Sequence, residues 1–116
     1  MNNGGQRDEK LPGREVIKRQ DDFKYILQNG KRWHGSCLRF FFLEGDDRRI
    51  GFAVSKKLGK AVYRNKVKRL MREVYRRNKN RIGSFRLIMM PNNGIEQIDF
   101  QSFEKDIQDF IQYIKR

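Results

Sequence analysis

Residues 55–73 read Ser-Lys-Lys-Leu-Gly-Lys-Ala-Val-Tyr-Arg-Asn-Lys-Val-Lys-Arg-Leu-Met-Arg-Glu. This stretch concentrates positive charge, and Glu73 is the only acid between Arg48 and Arg81. Uncompensated positive charge repels itself and destabilises a compact fold. The sequence therefore predicts a polyanionic partner, and a phosphate backbone is the usual one. The charge by itself does not distinguish RNA from DNA.

The same stretch has the period of an amphipathic helix, predicted from Lys60 to about Arg77. Its apolar stripe consists of Tyr63, Val67, Leu70, Met71 and Val74. A second face carries Arg64, Lys68, Arg72 and Arg76 at intervals of four residues. Like charges at that spacing destabilise an isolated helix, so packing of the stripe or a bound partner must offset the repulsion.

Two strands are predicted before this helix. Residues 36–44 alternate so that Leu38, Phe40 and Phe42 share one face, and Arg39 and Phe41 share the other. A Gly45-Asp46-Asp47 turn and a returning strand over residues 49–55 then predict an antiparallel hairpin. The small side chains of the returning strand predict a shallow floor beside bulkier neighbours.

The remaining elements complete an α-β-β-α-β-α order. A short helix is predicted over residues 21–29, a strand over residues 85–90, a loop over residues 80–84, and a last helix from about Phe100 or Ser102. A short extra strand is also considered over residues 31–35. Three acids, Glu104, Asp106 and Asp109, are assigned to the front of the last helix, where the helix dipole favours them. The predicted fold class is α+β: a single-domain sandwich of helices on a mixed, mostly antiparallel sheet. Residues 1–13 are predicted to form a mobile tail, and residues 14–116 the domain.

Composition narrows the function classes. The 116 residues contain 27 Lys and Arg against 14 Asp and Glu, a formal net charge of +13. Apolar runs fall short of the ~18 residues that a spanning helix needs, and the first residues lack the apolar segment of a signal peptide. We therefore expect a cytoplasmic protein with no membrane partner. Single copies of cysteine (Cys37) and histidine (His34) exclude an intrachain disulfide and a zinc site of the usual kind.

Few residues suit catalysis or metal binding. His34 and Cys37 lack a nearby orienting acid or amide, so structural roles, or a phosphate contact for His34, are favoured. Asp46 and Asp47 suit a cation site, but adjacent acids in a turn are more often turn formers. Carboxylates are not spaced like a two-metal nuclease site. We therefore predict no catalytic and no metal-binding residue in this chain.

Other residues suit contact with nucleic acid. Gly59 stands where the basic helix begins, and backbone N–H groups at a helix start are free to meet a phosphate oxygen. Arg64 can hold a phosphate bidentately, whereas Lys66 acts as a point charge. Phe23 and Phe41, with Arg39 beside the latter, either flank a groove on which bases stack or belong to the core. The pattern leaves both alternatives open.

Residues 51–73 closely resemble the signature of the bacterial ribonuclease P protein subunit, Ser-Lys-Lys-x-Gly-x-Ala-Val-x-Arg-Asn-Arg-x-Lys-Arg-x-x-Arg-Glu. The resemblance extends over roughly residues 11–116 and includes Asp22-Phe23 and Asn29-Gly30 at the ends of the first helix. This chain has Lys66 where the family usually has Arg, which keeps the charge but loses the bidentate fork.

The resemblance implies an accessory to a catalytic RNA that removes the 5′ leader from precursor tRNA. It implies that the RNA holds the catalytic Mg²⁺. Our own default expectation is that the protein is a monomer within a 1:1 ribonucleoprotein. The resemblance also implies a left-handed crossover through the basic helix. The residues implied to face the catalytic RNA are Lys56, Lys57, Lys60, Arg64, Asn65, Lys66, Lys68, Arg69 and Arg72. The residues implied to line the leader groove are Phe23, Leu27, Arg39 and Phe41, with Leu27 where the family often has another aromatic.

Two rival hypotheses stay open at this point. A structural RNA-binding protein, such as a ribosomal component, would have the same basic surface but would not prefer precursor over mature tRNA. A protein nuclease acting alone would have only His34 and scattered acids with which to work.

Overall fold

A computed structural model describes residues 11–94 and 98–116. The three α-helices are α1 (Gln20–Asn29), α2 (Ala61–Ile82) and α3 (Phe100–Ile114). The four strands are β1 (Lys31–His34), β2 (Leu38–Glu44), β3 (Arg49–Phe52) and β4 (Phe85–Pro91). Short 3₁₀ turns occur at Gly13–Glu15 and Lys56–Leu58. The α+β class is confirmed, and so is the short strand considered after the first helix.

The strands form one mixed sheet in the order β1-β2-β4-β3. β2 pairs antiparallel with β1 and with β4, and β3 pairs parallel with β4. The predicted hairpin between β2 and β3 is therefore wrong, because β4 lies between them. The chain passes from β3 through α2 to the parallel neighbour β4, which is the crossover that the family resemblance implies. The hand of that crossover stays a prediction.

The Gly45-Asp46-Asp47 turn, predicted to close the hairpin, instead passes around the start of β4. The amide of Gly45 donates to the carbonyl oxygen of Ser84 at 3.0 Å. Asp47 accepts hydrogen bonds from Arg86 on β4 at 3.3 Å and from Arg49 on β3 at 2.9 Å. These contacts lower the pKa of Asp47, chiefly through the bond from Arg49. Asp47 thus fastens the turn to two strands, and its carboxylate is occupied by arginine.

The sheet separates two apolar clusters, as the alternation in β2 predicts. The larger cluster lies under α2 and α3 and is centred on Phe40, Phe42, Leu87 and Met89. The smaller one lies under α1 and contains Ile17, Ile26, Phe41 and Ile88. Burial of these side chains supplies most of the driving force for folding, at about 25 cal/mol per Å² of apolar surface. The face bearing α1 is the face that also carries Arg39.

The long helix continues one and a half turns beyond its predicted end at Arg77 and stops at Ile82, before Gly83 with φ 90°. This extension replaces most of the predicted loop. Its last turns bury Lys79, which is 3% exposed and lies 3.3 Å from Glu15. Arg48 also approaches Glu15, at 3.4 Å. One carboxylate therefore ties the N-terminal 3₁₀ turn to the C-terminal half of α2 and to the segment before β3.

The N-terminal segment lies along the open edge of β3. Val16 forms a parallel bridge with Ile50, and the amide of Ile17 donates to the carbonyl oxygen of Ile50 at 2.8 Å. Leu11 packs against the larger cluster. Most of the predicted tail, residues 1–10, lies outside the described residues. Among the helices that are described, none is both long and apolar enough to cross a bilayer.

Candidate nucleic-acid interface

The loop that leads into α2 has a fixed geometry. Ser55 caps the Lys56–Leu58 turn by accepting a hydrogen bond from the amide of Lys57 at 3.1 Å. Gly59 follows with φ 145° and ψ −161°, a conformation that is essentially limited to glycine. Arg64 reaches back from the first helical turn and donates to the carbonyl oxygen of Gly59 at 2.7 Å. The basic side chains before and inside the helix are thus held on one continuous structure.

We use the name cationic ridge for the basic residues of this loop and of the first three turns of α2, together with the neutral Asn65 that lies among them. It consists of Lys56, Lys57, Lys60, Arg64, Asn65, Lys66, Lys68, Arg69 and Arg72. All are exposed except Arg64, which is partly buried. Within residues 11–94 and 98–116, no ion pair includes a ridge residue. The structure therefore brings the predicted RNA-facing residues together on one surface, and the Lys and Arg side chains among them are available to an external anion.

Glu73 marks the end of the ridge. It pairs with Arg76 at 2.6 Å and with Arg77 at 2.8 Å. The hydrogen bonds from both arginines lower the pKa of Glu73, and the bond from Arg76 has the larger effect. The sequence predicts Arg76 on one charged face with Arg64, Lys68 and Arg72, but Arg76 is the member of that group whose charge is compensated by an ion pair within the protein.

Sequence reasoning missed Val62, which lies among the ridge residues with its side chain 82% exposed. Exposed apolar side chains on a charged surface are common, so no sequence pattern distinguishes Val62 from its neighbours. Its exposure follows from helix geometry, because it points opposite to the buried positions Val67 and Met71. Val62 adds an apolar contact to an otherwise polar surface.

The predicted leader-binding aromatics lie under and beside α1. Phe41 is 9% exposed and belongs to the smaller apolar cluster, which Phe23 and Leu27 of α1 partly cover. Phe23 lies over Gly51, where an added Cβ would approach its ring to 2.6 Å. Gly51, one of the small residues of β3, therefore makes room for Phe23. Phe41 forms a floor here, and its ring is not an open stacking surface.

A basic side chain that the prediction omitted covers part of that floor. The guanidinium carbon of Arg32 lies 5.6 Å from the centre of the Phe41 ring. Arg32 stands opposite Phe41 in the β1–β2 register and is exposed. A guanidinium held over an aromatic ring offers both charge and a flat stacking surface. In the sequence, residues 31–34 are only a short charged segment. The sequence does not show that β1 pairs with β2 in the register that places Arg32 opposite Phe41.

A cleft of about 420 Å³ joins the two predicted surfaces. Its lining includes Arg39, Ala53, Val54, Lys57, Met90 and Asn93. Arg39, predicted for the leader, and Lys57, predicted for the catalytic RNA, therefore stand on the walls of one depression. Arg39 donates from Nη2 to the carbonyl oxygen of Pro91 at 3.5 Å. Its Nε is buried and has no hydrogen-bond partner among the residues that the structure describes.

The side chains considered for catalysis are separated or occupied. Cys37 is buried, and burial, followed by the charges of Asp106 and Asp99, raises the pKa of its thiol. His34 is exposed on β1. The described part of the chain contains no group of three or more His, Cys, Asp or Glu side chains suited to a metal ion. The arrangement can bind and position a polyanion.

The fold and the ridge together define a class: a small α+β protein that presents a cationic helix and an adjoining cleft on one mixed sheet. The family model described as Ribonuclease P matches residues 11–115. The chain therefore belongs to the ribonuclease P protein family, as the sequence resemblance predicted.

Relatives and solved structures agree with this assignment. The ribonuclease P protein component of Dictyoglomus turgidum is 38% identical over 100 residues, covering 82% of this chain and 84% of the relative. The RNase P protein of Staphylococcus aureus superposes with a TM-score of 0.76 at 27% identity, covering 87% of this chain and 95% of that one. The RNase P protein from Thermotoga maritima gives a TM-score of 0.75 at 30% identity, covering 85% and 96%.

Proposed function

We propose that this chain is the protein subunit of ribonuclease P, and that it binds the catalytic RNA and the 5′ leader of precursor tRNA. The observation that carries the proposal is the cationic ridge, whose charges are free of internal ion pairs within the described residues. The ridge meets the catalytic RNA. The cleft between Arg39 and Lys57, together with the Phe41 floor and Arg32, receives the leader.

In this proposal the RNA subunit contains the site at which the phosphodiester bond between the leader and the tRNA is broken. We propose that Mg²⁺ is bound mainly by that RNA, as the family resemblance implies. The described acids form no cluster suited to a metal ion, and Asp47 is already held by two arginines. Hydrolysis at a metal-bound water is chemistry that the metal and RNA supply. The protein lowers the repulsion between two polyanions by placing positive charge between them, which strengthens substrate binding and, indirectly, cation binding.

The proposed assembly is a cytoplasmic ribonucleoprotein with one protein and one RNA. The joined geometry of cleft and ridge supports binding of both RNAs side by side, since a leader seated beside Arg39 would lie next to an RNA seated on Lys57. No observation in the structure favours a purely structural RNA-binding role over this one. Such a role predicts equal affinity of the assembled particle for precursor and mature tRNA.

Leader binding tests the proposal. The reconstituted particle should bind precursor tRNA more tightly than mature tRNA, and Arg39→Ala should remove most of that preference. Arg49→Ala is the matched control, because Arg49 is also a half-exposed arginine of the sheet but is paired with Asp47. Equal affinity of the unaltered particle for both tRNAs would refute leader recognition. If both variants lose the preference for precursor tRNA, that preference depends on the net charge of the protein, and a specific role for Arg39 is contradicted.

A further inference from the structure

Asp106 is a buried carboxylate that the ridge and the cleft do not explain. It lies in the middle of α3 with 2% exposure, between the buried residues Phe103, Ile107 and Phe110. The prediction that it sits at the front of the helix for the sake of the dipole is therefore wrong. Asp109, predicted with it, is exposed and paired with Lys105. Burial of a carboxylate costs free energy unless hydrogen bonds compensate it.

Three consecutive backbone amides provide that compensation. Asp106 accepts hydrogen bonds from the amides of Ser36 at 3.1 Å, Cys37 at 2.7 Å and Leu38 at 2.9 Å. Successive N–H groups of this kind form a concave anion site. Here the anion is a side chain from the opposite end of the sequence. A Cβ at Gly35 would lie 2.5 Å from the Asp106 Cγ, so the turn closes on the carboxylate without space to spare.

The same turn is fixed from its other side by Asn92, just beyond β4. The Asn92 amide donates to the carbonyl oxygen of Cys37 at 2.7 Å, and its side-chain Nδ2 donates to that of Gly35 at 2.9 Å. Residues 35–38 are thus clamped between α3 and the end of β4. The next residue along the chain is Arg39, and the residue before Asn92 is Pro91, whose carbonyl oxygen accepts from Arg39.

We call this arrangement, in which Asp106 and Asn92 hold the turn of residues 35–38 from its two sides, the clamp. It determines the position of the cleft wall that carries Arg39. We propose that Asp106 is a positioning residue for leader recognition: through the 35–38 turn it holds Arg39 against Pro91 at the rim of the cleft. This inference rests on the proposed function, since it assumes that Arg39 meets the leader. Asp106 acts from the core beneath the sheet and touches neither RNA.

The test compares Asp106→Asn with Asp109→Asn in the reconstituted particle, with each variant below its unfolding temperature. Asparagine has the same shape but turns an N–H₂ towards amide donors, so the turn should shift. We expect Asp106→Asn to lower the precursor-over-mature preference about tenfold, the scale of one lost charge-assisted contact. We expect Asp109→Asn to change it less than about twofold. Affinity for the catalytic RNA should stay unchanged in both, whereas general loosening of the fold would lower it.

Two further variants complete the test. Gly35→Ala disturbs the same contact while leaving Asp106 in place, and it decides the question if Asp106→Asn does not fold. The double variant Asp106→Asn with Arg39→Ala should lose no more preference than Arg39→Ala alone. Suppose that Arg39→Ala abolishes the preference for precursor over mature tRNA. Full preference in Asp106→Asn would then overturn the positioning role. If Asp106→Asn does not fold, full preference in Gly35→Ala would overturn it. If Arg39→Ala itself keeps full preference, leader contact by Arg39 fails, and the inference fails with it.

Discussion

Arg64 donates a hydrogen bond from Nη1 to the carbonyl oxygen of Gly59, across 2.7 Å and five residues of sequence. The bond links the first turn of α2 to the loop before it, so it fixes the direction of the guanidinium as well as the path of the loop. A side chain already held in one orientation loses less conformational entropy when it binds a phosphate. Arg64 is therefore both a support of the ridge and one of its charges.

Arg64→Ala should weaken binding to the ribonuclease P RNA and flatten its salt dependence. Each lost phosphate contact removes about 0.7–0.9 log units of affinity per log unit of salt. Arg64→Lys keeps the charge but loses the bond to Gly59, so it should lower affinity and leave the slope unchanged. Binding titrations at several salt concentrations measure both quantities. An unchanged slope in Arg64→Ala would show that Arg64 does not meet phosphate.

The contrast between Arg69 and Arg77 tests where the ridge ends. Both are exposed arginines of α2, but Arg77 is paired with Glu73 at 2.8 Å and Arg69 has no ion pair within the described residues. Arg69→Ala should reduce the salt slope by the amount of one contact, and Arg77→Ala should reduce it much less. Equal reductions would mean that the RNA surface continues past Glu73 and breaks its ion pairs.

Phe41→Ala should have two separable effects. Because Phe41 is 9% exposed, removing its ring should lower the free energy of unfolding by about 3–5 kcal/mol. The floor beneath Arg32 would also be lost, so precursor binding should fall more than binding to the catalytic RNA. Phe41→Leu is the control, since it refills the cavity without an aromatic face. Urea unfolding gives the first effect and binding to the two RNAs the second. Equal loss for both RNAs would assign Phe41 to the core alone.

Alkaline pH should destabilise the protein through two buried groups. Burial raises the pKa of the Cys37 thiol above its ordinary value of 9.0, and burial also raises the pKa of the Tyr75 hydroxyl. Above pH ~9 the unfolded chain therefore releases protons that the folded chain keeps, and the free energy of unfolding falls as pH rises. Urea unfolding between pH 8 and 10 measures this fall. The decline should be smaller in Cys37→Ala, and an identical decline would contradict the contribution of Cys37.

The sequence predicted which segments form helices and strands better than it predicted which strands pair with each other in the sheet. Alternation in β2 placed Phe40 and Phe41 on opposite faces because side-chain direction is a local property of a strand. The identity of the paired strand is not local, and a turn such as Gly45-Asp46-Asp47 leads equally well to an adjacent strand or around an intervening one. The inserted β4, whose residue Arg86 binds Asp47, was therefore missed.

The ridge was predictable and the clamp was not, for a related reason. Exposed charge at helical spacing follows from sequence period alone, so Lys68 and Arg72 are predicted correctly to lie on the outer face of α2. The acids Asp106 and Asp109 stand three residues apart on α3, and both suit its polar positions. Only the fold shows that one of them meets the amides of residues 36–38, nearly seventy residues earlier in the chain.

We propose that this protein binds and positions RNA while an RNA partner breaks the phosphodiester bond. Leader removal from precursor tRNA by a bacterial ribonuclease P RNA at low Mg²⁺, measured with and without the protein, tests this division of labour. We expect the protein to increase cleavage, the protein without RNA to cleave nothing, and a variant with Arg64, Lys68 and Arg72 all changed to Ala to lose most of the increase. No increase over RNA alone, or cleavage by repurified protein without RNA, would contradict the claim.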